Sequence, residues 1–195
     1  KQKAILISHS LGGFLTHTFI RWQEMTAPGW VAEHVCTVIS ISAPFAGTPI
    51  VIKALTDGNQ GFLSLFPAVR KALPYMLGML SVLPNYAEYK SLDEEQMSKL
   101  TTSEQFIEDE LTDKQQDMFD LFSFKEYQKF AYEESTEVKD YHVIIPSSVA
   151  TPVGYKIENH TISDVVYESA GQEKFGDGVV PWDSLSLPLR AWKNI

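Results

Sequence analysis

A short apolar run that breaks at a serine and opens at once into a helical pattern restricts this chain to few architectures. Ala4-Ile5-Leu6-Ile7 has no polar interruption, the pattern of a strand buried on both faces of a parallel sheet. Ser8-His9-Ser10-Leu11-Gly12-Gly13 follows, then helical spacing through Phe14, Phe19, Ile20 and Trp22 that stops before Pro28-Gly29. A second buried-strand run covers Val35 to Ile41 and ends in a loop of small residues and proline, Ser42 to Pro49. Strand, tight turn, helix and strand make the βαβ unit of a parallel sheet, so the fold class is α/β. Strand signals return at Tyr141–Ile145 and at Asp164–Tyr167, and a short helix or coil is expected around Ser184–Trp192.

A serine hydroxyl is a weak nucleophile unless it stands clear of the backbone beside a base. A strained strand-to-helix turn with the serine at its tip meets that need, as in α/β-hydrolases. Ser10 occupies such a tip. Ser8 and Gly12 are the small residues two before and two after it, expected to let strand and helix approach, and Gly13 adds another. The amide of Leu11, at the start of the helix, is placed to meet a developing oxyanion. The competing reading is a serine in an ordinary β-to-α turn. His9 adjoins Ser10 but points elsewhere in such a turn, so it is expected to pack or hydrogen-bond rather than act as base.

In this fold the triad residues follow the order Ser, then Asp or Glu, then His. Asp177, in Gly176-Asp177-Gly178-Val179-Val180-Pro181, has the setting expected of the acid, with Asp183 and Asp164 in reserve. An Asp-Gly turn without catalytic duty is the alternative. The histidines are His9, His17, His34, His142 and His160, all upstream of Asp177. The triad histidine is therefore expected outside these residues, in a longer protein of which this is the C-terminal part. Alone, the 195-residue chain is expected to be inactive.

Between roughly 62 and 134 the pattern turns helical, with prolines at 67, 74 and 84 and acidic residues from Asp93 onward. This reads as a helical cap inserted into a partial hydrolase domain that spans 1–195. Gly61–Phe66 and Ala72–Leu83 offer an apolar surface, either a lipid-facing lid or the buried core of the cap. The net charge of −9, with no compensating basic cluster, disfavours nucleic acid as a partner. Cys36, the single cysteine, excludes an internal disulfide and reads as a small buried hydrophobe. No metal-ligand spacing or phosphate-cradling loop appears, so no cofactor is expected. Asn159-His160-Thr161 is a glycosylation sequon, meaningful only on a secretory route.

Four blocks taken together resemble the lecithin:cholesterol acyltransferase family, which includes lysosomal phospholipase A2 and phospholipid:diacylglycerol acyltransferases. They are His9–Gly13, Ile41–Thr48, Asp57–Gly61 and Gly176–Pro181. The resemblance implies an α/β-hydrolase with a helical cap, acting on glycerophospholipid esters through an acyl-serine intermediate. Water, or an alcohol such as a sterol or diacylglycerol, would then take the acyl group. It maps the nucleophile onto Ser10, the acid onto Asp177 and one oxyanion amide onto Leu11, leaving the histidine and second oxyanion donor outside. A membrane or lipoprotein surface as partner, and a secreted, endolysosomal or membrane-associated location, follow from the resemblance alone. Two other readings stay open: a general carboxylesterase or lipase of the same fold, and a non-catalytic binding protein built on it.

Overall fold

The computed structural model describes residues 2–57, 77–113, 116–117, 132–167, 175–193 and 195. Strand β1 (Ala4–His9), helix α1 (Leu11–Thr26), helix α2 (Trp30–His34) and strand β2 (Val35–Ile41) form the expected βαβ unit, with β1 and β2 parallel. Strand β3 (Tyr141–Ile144) joins the far edge of β2, also in parallel, giving a sheet ordered β1-β2-β3. All three strands therefore end on the same side.

The register puts Leu6, Val38 and Tyr141 in one row across the sheet, and Ser8, Ser40 and Val143 in the next. This face carries a core with Ile20 of α1, Val31 of α2, Phe45 and Trp192. The opposite face does not match expectation. Ile5 and Ile7 are 61% and 67% exposed, so β1 is covered on one face only among the described residues. An apolar run records which side chains prefer burial, and both faces of β1 do, but it cannot say whether an element is present to cover them. Cys36 is likewise exposed rather than buried. It falls where the β1–β2 register shifts, between the Ala4–Val35 and Ile5–Thr37 pairs, and there alternation no longer predicts the face.

Between β2 and β3 the described residues form short helices: α3 (Ile50–Asp57), α4 (Leu77–Leu80), α5 (Glu94–Ser98) and α6 (Ser103–Glu110), with a 3₁₀ turn at Tyr86–Glu88. Asp93 with Gln96, and Thr102 with Gln105, form reciprocal capping boxes that fix where α5 and α6 begin. In the Ala72–Leu83 stretch, Leu80, Val82 and Leu83 are buried, which favours the core reading for them over a lipid-facing surface. Gly58–Phe66 and Ala72–Met76 lie outside the described residues.

Strands β4 (Pro152–Glu158) and β5 (Thr161–Tyr167) form an antiparallel hairpin, where the sequence had pointed only to Asp164–Tyr167. Asn159 and His160 both take positive φ, 52° and 59°, and make its two-residue turn. The glycosylation sequon thus sits at an exposed hairpin tip. The hairpin packs on the short helices: Tyr155 joins Val51, Ile52, Leu83, Phe106 and Leu111 in a second core. Phe14 belongs to this second core, whereas Ile20 belongs to the first, so α1 bridges the two. The chain ends in α7 (Trp182–Leu185) and α8 (Leu187–Ala191), helical where short helix or coil was expected.

Candidate active site

Ser10 stands between the last residue of β1 and the first of α1, with φ 54° and ψ −130°. A residue with a Cβ held at such angles costs of order 1–3 kcal/mol and persists only where its surroundings enforce it. Two hydrogen bonds do so here. The Ser10 amide donates to the Ile41 carbonyl at the end of β2 (2.8 Å), and the Gly13 amide donates to the Ser10 carbonyl (2.9 Å). Although Ser10 is the N-cap of a 16-residue helix, its hydroxyl makes no capping bond, unlike the usual serine in that position. Ser10 is half-buried. The Leu11 amide beside it belongs to the first turn, where N–H groups have no acceptor within the helix and the helix dipole is positive.

The close approach expected at Gly12 occurs one residue later. A Cβ on Gly12 would meet nothing within 4 Å, whereas one on Gly13 would come within 2.6 Å of the Ala43 Cβ. The glycine that lets the elbow settle on the end of β2 is Gly13. His9 is exposed and shares a strand face with Ile5 and Ile7, away from α1.

Asp177 comes after the hairpin in sequence and forms an isolated parallel bridge with Val149, which follows β3. Its Oδ1 accepts from the amides of Val179 (2.9 Å) and Val180 (2.7 Å), so the carboxylate closes its own turn. The loop is pinned from outside as well. The Gly178 amide donates to the Thr151 hydroxyl (2.8 Å), which donates in turn to the Val149 carbonyl (2.8 Å). The Thr48 hydroxyl donates to the Val179 carbonyl (2.6 Å). The two reserve carboxylates are placed differently. Asp183 is buried, accepts from the Ser91 amide (2.7 Å) and lies 3.8 Å from Arg190, tying the last helices to the segment before α5. Asp164 is exposed on β5 and accepts from the amide of its neighbour Val165.

The loop after β2 connects these parts. Ala43 touches the elbow at Gly13, the Ala46 amide donates to the Ser184 hydroxyl (3.0 Å), and Thr48 reaches Val179. The same loop meets the short helices: the Asn85 amide donates to the Ala46 carbonyl, and the Thr48 amide to the Val82 carbonyl. Gly47, at φ 78°, packs so tightly that a Cβ would fall 2.1 Å from the Leu83 carbonyl oxygen. Thr48, Thr151 and Ser184 were missed in the sequence, where the run of small residues from Ser42 to Thr48 was the available signal.

No hydrogen bond joins any of the five histidines to Ser10 or Asp177 among the described residues. His142 pairs with Asp140, His160 with Glu110, and the His34 ring stacks on Trp30. His17 is fully buried between Phe45, Tyr141 and Trp192, and burial pulls it down to about 4.

The sequence profile of the lecithin:cholesterol acyltransferase family matches residues 1–148, a span that carries the elbow, the loop after β2 and all three parallel strands. The chain belongs to this family. The motif resemblance pointed to the same place. Among curated relatives, the chain is 37% identical over 65 residues to a phospholipid:diacylglycerol acyltransferase of Schizosaccharomyces pombe, covering 31% of this chain and 10% of that protein. It is 32% identical over 66 residues to the phospholipid:diacylglycerol acyltransferase of Saccharomyces cerevisiae, covering 30% of this chain and again 10% of the relative. The matched stretch is thus about a tenth of the length of either protein.

Proposed function

We propose that this member of the lecithin:cholesterol acyltransferase family carries the nucleophile and the acid of a lipid acyltransferase or phospholipase with an α/β-hydrolase fold. The residues from 62 to 134 are its cap. The observation that carries the reading is Ser10: a strained residue at a β-to-α bend whose hydroxyl is spared from capping its helix. In an ordinary turn the backbone would relax and the hydroxyl would cap the helix, so strain together with an uncapped helix favours a nucleophile.

Ser10 Oγ attacks the carbonyl carbon of a glycerophospholipid ester while its proton passes to an imidazole contributed from beyond these residues. The Leu11 amide donates to the tetrahedral oxyanion. Collapse expels the lysophospholipid alkoxide, which takes the proton from the imidazolium, and leaves an acyl-serine. An alcohol, either a diacylglycerol or a sterol, or else water then attacks that ester and frees Ser10. Asp177 offers its Oδ2 to orient the imidazole, since Oδ1 is held by the Val179 and Val180 amides. A general carboxylesterase would share this chemistry, and the phospholipid:diacylglycerol acyltransferase names of both relatives favour the lipid reading.

Fluorophosphonate labelling of the full-length protein tests the assignment. Ser10→Ala and Asp177→Asn should abolish or greatly slow labelling, along with acyl release from phosphatidylcholine vesicles. Labelling at wild-type rate in Ser10→Ala would remove Ser10 from its role.

A further inference from the structure

We infer that Thr48, on the loop after β2, is a positioning residue for Asp177 that couples the acid loop to the short helices. The inference rests on the proposed triad reading and extends it. Thr48 is buried, and its hydroxyl donates to the carbonyl of Val179 at 2.6 Å. The peptide unit of that carbonyl continues into the Val180 amide, which donates to Asp177 Oδ1 at 2.7 Å, and the Val179 amide donates to the same oxygen at 2.9 Å. One hydroxyl therefore holds the peptide whose N–H, that of Val180, is one of the two that fix the carboxylate. A peptide plane is rigid, so turning the Val179 carbonyl also turns the Val180 amide.

The other side of Thr48 is equally constrained. Its amide donates to the Val82 carbonyl (2.8 Å), next to Leu83, whose carbonyl crowds Gly47. Displacement of the Val82–Leu83 segment passes through Thr48 to the acid. Thr151 holds the same turn from the sheet side through the Gly178 amide, so the acid loop lies between two threonine hydroxyls. Among the described residues, Thr48 bonds onward to the segment between the short helices, whereas the Thr151 hydroxyl bonds the Val149 carbonyl. Val179 is 46% exposed and lies on a surface turn, so geometry rather than folding should suffer most when the Thr48 hydroxyl is removed.

The test compares Thr48→Val, Thr48→Ser and Thr48→Ala in the full-length protein, with phosphatidylcholine vesicles as substrate and thermal melting as the folding control. A misplaced carboxylate supports the imidazolium less well, which lowers the base's pKa. Thr48→Val is expected to lower kcat roughly tenfold with KM unchanged, and to move the acidic limb of the pH–kcat/KM profile to lower pH. Thr48→Ser, which keeps the hydroxyl, should restore both. If Thr48→Val does not fold, Thr48→Ala against Thr48→Ser isolates the hydroxyl, since both lack the methyl group. Wild-type kcat and an unmoved acidic limb in Thr48→Val and Thr48→Ala would overturn the inference. Equal losses in Thr48→Ser and Thr48→Ala would also overturn it, by assigning the effect to packing. Activity that survives Ser10→Ala would instead overturn the triad reading itself, so the two failures are distinguishable.

Discussion

Acidification puts a proton where the described residues offer no acceptor for it. His17 lies between α1 and the C-terminal helices, stacked on Trp192 at 4.4 Å, with Phe45 and Tyr141 edge-on. Its Nε2 bonds the Glu133 carbonyl at 3.0 Å, which requires the proton on that nitrogen. Nδ1 then carries the lone pair, and it has no hydrogen-bond partner among the described residues. A second proton would create a buried, unpaired N–H⁺ among aromatic rings, one helical turn from the Arg21 guanidinium. Burial first, and Arg21 behind it, pull the ring down to about 4 from 6.5, against the opposing pull of the Glu133 carbonyl. The folded-state value is depressed, so the stabilisation is complete above 6.5 and drains away as pH falls toward 4. Proton linkage over that window removes about 2 kcal/mol by pH 5 and about 3 kcal/mol once the pH is below 4. Urea unfolding at intervals from pH 7.5 to 4.5, for wild type and His17→Phe, isolates this contribution from that of the carboxylates. The phenyl ring keeps the stack and cannot titrate. The stability difference between the two should move by about 2 kcal/mol in favour of the variant between pH 7.5 and pH 5. Parallel curves, with a constant difference across the range, would refute the account of His17.

The remaining predictions concern backbone strain and buried charge. Ser10→Gly should unfold at higher urea than Ser10→Ala by about 1–2 kcal/mol, because glycine relaxes at φ 54° while alanine keeps the strain; equal midpoints would remove strain from the argument. Glu24→Ala should cost about 3–5 kcal/mol in urea unfolding, since the buried carboxylate pairs with Arg21 and accepts from the Ser135 hydroxyl and the Thr136 and Glu137 amides; a loss under about 1 kcal/mol would contradict this. Gly47→Ala, with its Cβ driven into the Leu83 carbonyl at a positive φ, should destabilise by at least about 3 kcal/mol in the same assay, and near-neutral behaviour would show that the loop can yield.

How much of this was legible beforehand depended on whether the deciding contact was local. The elbow was legible because its parts are consecutive: an apolar run, small residues and a helical period leave few alternatives to a β-to-α bend at Ser10. The turn around Asp177 was legible for the same reason, since its flanking glycines and the Val179-Val180 pair are neighbours in sequence. What escaped is non-local. Strand β4 carries a usable alternation at Val153, Tyr155 and Ile157, but Pro152 and Gly154 mask it, and its turn is Asn-His instead of the commoner Asn-Gly. Which glycine takes the close contact, Gly12 or Gly13, is decided by Ala43, thirty positions on from Gly13. Asp183 stood only in reserve to Asp177, and nothing local in the sequence signals that Ser91 and Arg190 hold its carboxylate. The loop from Ser42 to Pro49 extends the argument furthest. As sequence it is a string of small residues and prolines with no period, yet it touches the elbow, the acid turn and the short helices through Ala43, Ala46, Gly47 and Thr48. Small side chains let three parts of the molecule approach one backbone segment closely enough to hydrogen-bond to it. A segment with no pattern of its own can thus be among the most constrained in the fold, and composition alone cannot tell it from a linker.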